Sequence, residues 1–297
     1  MKMNLYTLIM TLTVAILNYD SVMAQLSPEI MKNLKPVDMP MTWGHEKVLD
    51  TSTNEFIYYH FRYDPVSDLA LDSEEILQVG SMISRYVDYG YYRCDSIGRE
   101  GTEKNISMMF SEYQSITENW PTGLKYSIYT HHDKDELEVT DKIFINNFRY
   151  SEPVPDFKWI LNNDSVRQIG PYTCFMATTS FRGRDWTAWY TPEIPISLGP
   201  WKFSGLPGLI VMVRDKDGEH IFKLLRSKEA GNPILLPDRL YCRKERTEFN
   251  AAKREYEENP FKTFESMGTV AVDANGKPLP PPNPKERKTF SNLIERD

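Results

Sequence analysis

Residues 205–210 read Gly205-Leu206-Pro207-Gly208-Leu209-Ile210, and this hexapeptide constrains the fold more than any other stretch of the chain. It contains no nucleophile, base or metal ligand. Gly199-Pro200-Trp201-Lys202-Phe203-Ser204 before it reads as a short helical turn, which Gly205 ends in the left-handed conformation that glycine adopts at least cost. Pro207-Gly208 is a type II turn signal, because proline fixes φ at one central position and glycine accepts positive φ at the next. Leu209 to Val213 then runs without a polar residue, as a buried strand does. The peptide is a turn feeding a strand, and it speaks to architecture rather than chemistry.

Two hairpins follow from the flanking pattern. With Gly183-Arg184 as loop residues of a type II′ turn, Phe181 pairs with Trp186, Thr179 with Ala188 and Ala177 with Tyr190. That face, with Phe175, is almost wholly apolar. The other face pairs Arg182 with Asp185, Ser180 with Thr187 and Thr178 with Trp189. Asp217-Gly218 is a type I′ signal, and pairing about it puts Leu209, Val211, Val213, Phe222 and Leu224 on one side. These ribbons predict a mainly β (α+β) fold, a curved antiparallel sheet with an apolar concave face. The turn at 199–205 and a charged helix over Thr247 to Glu258 are its candidate covers. An incomplete cover would leave a groove for a lipid-like or peptide-like ligand.

The rest of the chain divides around that core. Residues 1–24 read as a secretory signal peptide: Lys2, an apolar Leu5 to Leu17, then Val22-Met23-Ala24. Export to the periplasm or cell envelope, or outside the cell, is the expectation, with no transmembrane span in the mature chain. Residues 25–45 form an irregular Pro- and Met-rich arm, residues 46–265 a single β-rich domain, and residues 266–297 a charged tail with five prolines from Pro278 to Pro284. Such a tail buries too little to offset its ordering entropy, so it reads as extended or disordered. The formal net charge of −7 argues against nucleic acid as a partner. An oxidising compartment permits one disulfide among Cys94, Cys174 and Cys242, and the spacing does not choose the pair.

Phe181-Arg182-Gly183-Arg184, Thr187 to Ile196 with Trp189 and Tyr190, and Gly199-Pro200 leading into the hexapeptide together resemble the GLPGLI family. The likeness is dense from about residue 165 to 226. It implies a secreted envelope protein of Bacteroidetes whose molecular function is not established. No catalytic residues carry over. By analogy it also suggests a half-open barrel similar to periplasmic lipoprotein carriers.

The candidate chemistry is sparse. His131-His132 with Asp133 and Asp135 reads as a polar hairpin turn, because strand neighbours point to opposite faces and do not share an ion. Asp215-Lys216-Asp217-Gly218 starts like a calcium loop, but Arg226 stands where that loop needs Glu. His45, His60 and His220 are scattered and read as structural or solvated. No catalytic residue, metal site or cofactor is assigned. The leading expectation is a non-enzymatic binding or accessory protein for a hydrophobic or peptidic ligand or an envelope protein partner. Two alternatives stand beside it: a hydrolase-like site assembled from distant residues such as His132, Asp133 and Cys174, and a tail-mediated accessory of an outer-membrane transport system.

Overall fold

The computed structural model describes residues 46–100, 112, 115, 116, 118–120, 124–144, 146–258 and 290–296. The expected signal peptide, the irregular arm and the proline run lie outside the described residues.

The described chain is mostly strand. β1 (Glu46–Asp64), β2 (Leu69–Gly80) and β3 (Ile83–Asp88) lead into helix α1 (Tyr89–Glu100). β4 (Ser127–His131), β5 (Glu136–Ile143) and β6 (Asn146–Pro153) form one arm of the sheet. β7 (Ile160–Ile169), β8 (Tyr172–Phe181), β9 (Arg184–Thr191), β10 (Leu209–Asp215) and β11 (His220–Glu229) form the other. β12 (Pro233–Pro237), β13 (Cys242–Arg243) and helix α2 (Arg246–Glu258) follow. The order across the sheet is β13-β6-β5-β4-β3-β2-β1-β11-β10-β9-β8-β7, with β12 paired to the first part of β1. All pairings are antiparallel except the two-residue contact of β13 with β6. The sheet is open and curved and does not close into a barrel.

Alternation sorts the side chains. Phe56 and Tyr58 of β1 enter the main core, whereas Ile57 between them packs with Ile76, Val87, Tyr89 and Tyr92 beneath α1. Phe56, Leu77, Tyr86, Ile128, Val139 and Tyr150 stand opposite one another across six successive strands, forming one buried row on the concave face. Each large apolar member contributes about 1.5–3 kcal/mol. Bulges at Ile57/Tyr58, Ile210/Met212 and Asn162/Val166 bend the strands, as an extra residue in a ladder does.

The β8–β9 hairpin corrects one expectation. Its loop is Arg182-Gly183, both at positive φ (51° and 75°), and Phe181 pairs with Arg184, Thr179 with Trp186 and Phe175 with Tyr190. The pairing is displaced by two residues from the type II′ alignment, so the faces keep their membership. Arg184 thereby becomes a strand residue whose side chain enters the concave face, where three acceptor groups and two carbonyls await it. The β10–β11 register, with Val213 opposite Phe222, agrees with the pattern around Asp217-Gly218. Its turn differs, since positive φ is confined to Gly218 (73°).

Residues 199–204 also depart from expectation. They form no helical turn: Trp201 takes φ 54°, and Leu198 bridges Ser204 across the loop. Gly205 is left-handed at 87°, as its position before Leu206 requires. Gly208 sits at φ 144°, and its N–H donates to Leu206 C=O at 2.8 Å, a three-residue turn in place of type II. A Cβ on Gly208 would lie 2.1 Å from Thr191 O, so only glycine lets the hexapeptide pass the end of β9. The loop carries Trp201, Phe203 and Leu206 onto the core, with Phe203 meeting Trp186 edge-on at 4.8 Å.

We expect Gly208→Ala to cost at least about 3 kcal/mol in urea unfolding, because backbone strain and a backbone clash add. Gly218→Ala, whose Cβ would meet nothing within 4 Å, should cost only about 1–2 kcal/mol.

Candidate functional site

Three pieces of chain meet over the concave face: the loop 192–208, helix α2, and the segment 290–296, here called the strap. In α2, Phe249, Asn250, Lys253, Tyr256 and Glu257 share a side at three- and four-residue spacing. Phe249 is buried, 5.4 Å from Tyr150 and 5.6 Å from Phe148.

The strap is held along its length by polar contacts. Ser291 N–H donates to Asp64 at 2.8 Å, and the Asn292 amide donates to Tyr63 C=O and Glu219. Arg184 is the main anchor. Its five N–H donors reach Asp215 (2.6 Å), Glu219 (2.7 Å), Asn292 Oδ1 (2.5 Å), and the carbonyls of Leu293 (2.9 Å) and Ile294 (3.0 Å). That exhausts the donor capacity of a guanidinium. Arg296 N–H donates to Arg182 C=O, and a Cβ on Gly183 would come within 2.8 Å of Arg296 Cβ. The hairpin turn is therefore in close contact with the strap.

Lys202 forms the second anchor. Its ammonium donates to Glu152 of β6 at 2.5 Å, to Glu295 of the strap at 2.5 Å and to the Tyr150 hydroxyl at 3.2 Å, using all three donors. Arg182 adds a 2.7 Å contact to Glu152, and Arg246 and Asn250 of α2 both donate to Glu295. Burial alone would push the Lys202 ammonium down, but Tyr150, Glu295 and Glu152 outweigh it and hold the amine above its usual value. Burial would likewise raise the Glu295 carboxyl, yet Lys202 and Arg182 bring it down to about 2. Glu152 belongs to one arm of the sheet, and Arg182 lies at the β8–β9 turn of the other. The charges bridge where no backbone ladder does.

A chain of side chains runs from the core to the strap. Glu75 Oε1 lies 2.6 Å from His60 Nδ1, His60 Nε2 lies 3.2 Å from His220 Nδ1, and His220 Nε2 lies 3.2 Å from Asn292 O. Burial pushes both imidazoles below their ordinary value; for His220, neighbouring His60, Arg184 and Arg62 act in the same direction. The two histidines, expected to be scattered, are thus adjacent.

Between strap, α2 and sheet remains a cavity of about 480 Å³. Ile128, Val139, Tyr150, Phe249, Leu293 and Ile294 supply apolar wall, and Arg62 and His220 lie at the β1–β11 end. None of these residues carries a sequence motif. The nearest signal is Lys202 itself, a lone cation between Trp201 and Phe203 in an apolar approach segment.

The family-like residues have distinct places. Arg182, Gly183 and Arg184 contact the strap. Tyr190 is buried beside Phe175, and Trp189 lies under Arg167 on the opposite face. Gly199, next to Pro200, packs against Ile210 so closely that a Cβ would meet it at 2.8 Å. In the hexapeptide, Leu206 C=O accepts from Ser197 Oγ, Leu209 N–H donates to Ile194 C=O, and Ile210 C=O accepts from the Tyr58 hydroxyl.

The residues of the hydrolase-like alternative are not brought into contact. His132 pairs with Ser84 at the end of β4, whereas Cys174 is buried in β8 on the other arm. Burial, with Glu193 nearby, pushes the Cys174 thiol up to about 11, against thiolate formation at neutral pH. No disulfide joins Cys94, Cys174 and Cys242, which are half-buried, buried and exposed respectively. Among the described residues no helix is long and apolar enough to cross a membrane.

Residues 182–212 match the model of a family described as protein of unknown function (Porph_ging). No curated protein sequence matches the chain. Among solved structures, two crystal forms of PNGF-II align with TM-scores of 0.47 and 0.46 at 12% and 11% identity, covering 69% of this chain in each case. The chain spans 34% and 33% of those proteins. An uncharacterized conserved protein from Thermus thermophilus aligns at TM-score 0.33 and 9% identity, over 65% of this chain and 91% of that one.

The depressed Glu295 carboxyl makes a pH prediction. A carboxylate lowered on folding stabilises the native state above its unfolded pKa and loses that effect as pH falls through its folded value. At pH 7, Glu295→Gln should therefore be about 2–3 kcal/mol less stable than the natural chain. The difference should shrink below pH 4.5 and vanish near pH 2, followed by denaturant unfolding across that window.

Proposed function

We propose that the chain is an exported, non-enzymatic binding protein of the cell envelope, whose single domain over residues 46–265 holds a hydrophobic ligand in the concave cavity. The GLPGLI-like segment and the signal-peptide pattern support export. The observation that carries the binding reading is the cavity itself. Its volume of about 480 Å³ lies within the range of small-molecule sites, roughly 300–1,000 Å³. More of its wall is apolar than polar, although charged side chains such as Arg62, Lys125, Lys142, Lys253, Asp141 and Glu257 also line it, and a mainly apolar wall with polar groups to orient a ligand is common in such sites.

A peptidic ligand is the second reading, favoured by one specific observation. Arg184 takes two successive strap carbonyls while Lys202 and Arg246 take the carboxylate of Glu295, so the cleft already accommodates a peptide segment that presents backbone carbonyls and one carboxylate. In that reading the strap occupies the place an incoming segment would take.

A neutral fluorescent probe, N-phenyl-1-naphthylamine, should bind the mature chain saturably at one site. Val139→Trp, which fills the cavity from β5, should abolish binding with the far-UV circular dichroism unchanged. Undiminished binding by that variant places the site elsewhere. Displacement of the probe by a synthetic Phe-Ser-Asn-Leu-Ile-Glu-Arg peptide, and not by aliphatic alcohols, supports the peptidic reading over the hydrophobic one.

A further inference from the structure

Arg62 stands apart from Arg184 and Lys202, the other buried cations around the cleft. It is 5% exposed on β1, opposite His220 of β11 and Leu71 of β2, and it lines the cavity. Arg184 and Lys202 fill all their donors with carboxylates and carbonyls. Arg62 forms no ion pair and no side-chain hydrogen bond among the described residues, and its buried Nε has no partner. The ring of Phe290 lies 5.7 Å from its Cζ. A buried guanidinium without an anion in contact is costly, and retaining one at the end of an apolar cavity calls for an anion from outside the fold.

We propose that Arg62 is the headgroup receptor of this cavity, and that its ligand is an anionic amphiphile: a monocarboxylate on a medium-length alkyl chain. This rests on the hydrophobic-ligand reading above and names its ligand class. The planar fork of a guanidinium matches a carboxylate in a bidentate manner. From Arg62 on β1, the apolar wall reaches Ile128 on β4, three strands away across the sheet (roughly 14 Å at the usual strand spacing) and level with Phe56, six residues back along β1, so the cavity has length for an alkyl tail. Val139 and Phe249 continue the wall beyond it. The headgroup therefore lies between Arg62, His220 and Phe290, and the tail runs toward α2. Lys125, Lys142, Lys202 and Lys253 also line the cavity, but Lys202 is held by Glu152 and Glu295 and Lys253 by Asp141 and Glu257, and a guanidinium fork suits a carboxylate, so a monocarboxylate is the ligand named and a phosphate monoester is its competitor in the test.

The test displaces the neutral probe from the mature chain with dodecanoate, dodecanol and dodecyl phosphate at neutral pH. Dodecanoate should displace it about 10–100-fold better than dodecanol, the scale expected of a charge-assisted bidentate contact. Whatever its own probe affinity, Arg62→Gln should bring the dodecanoate-to-dodecanol displacement ratio to about one, with Arg62→Lys between it and the natural chain. Because Arg62 lacks a contacting anion, Arg62→Gln should also leave the Tm unchanged or raised. Equal displacement by dodecanoate and dodecanol, a preference that survives Arg62→Gln, or dodecyl phosphate outcompeting dodecanoate would each overturn the assignment. So would a lowered Tm for Arg62→Gln, since it would mean that Arg62 is already paired. If the probe does not bind the natural chain at all, the binding reading itself fails and this inference with it; if the probe binds and only the carboxylate preference is missing, the binding reading stands alone.

Discussion

The contact on which the rest of the structure depends is the buried meeting of Lys202 with Glu152 and Glu295. The sheet has two free ends and no backbone ladder joining them, yet Glu152 on β6 and Arg182 at the β8–β9 turn reach one another through charge. Lys202, on the loop before the hexapeptide, sits between them and adds the strap through Glu295. An ion cluster of this kind contributes modestly over an apolar alternative, but removing one member strands the others in a poor solvent. Its effect is on shape more than on total stability: it sets how far the sheet curls and holds the strap across the concave face.

The cavity follows from that closure. The aromatic loop around Trp201 and Phe203 fills the part of the concave face near β9, and α2 covers β5 and β6 through Phe249. The strap spans the space between them. What is left is a space beneath them, apolar along Ile128 and Val139 and charged at Arg62, Lys125, Lys142, Lys253 and Glu257. The polarity of the two strap anchors and of Arg62 divides along a simple line. Arg184 and Lys202 are saturated by the protein's own acceptors, whereas Arg62 is not, a difference among cations that sequence alone would treat alike.

Much of the sheet was readable from sequence. Local pattern and turn chemistry assign Val213 opposite Phe222 and sort Ala177, Thr179, Trp186 and Ala188 onto one face, because a period of two carries that information. The displaced β8–β9 pairing shows the limit of such reading: a shift of two leaves face membership intact, so polarity cannot detect it. What selects Arg182-Gly183 as the loop is the long-range demand that Arg184 reach Asp215, Glu219 and the strap. The site was almost invisible for the same reason. Glu295 lies 93 positions from Lys202, and His220 lies 160 from His60, with no spacing rule to join them. Composition argues that the tail cannot repay its ordering, and residues 290–296 differ because ion pairs and backbone hydrogen bonds, not apolar burial alone, hold them.

Hydrogen exchange of the backbone amides in residues 290–296 tests the central claim most directly. If the Lys202–Glu295 contact and Arg184 hold the strap against the concave face, these amides exchange at neutral pH with protection approaching that of β10 and β11, and Lys202→Met strips that protection while sparing the strands. Exchange in the natural chain as fast as in the free peptide would contradict it, and with it the clasped sheet and the cavity beneath the strap.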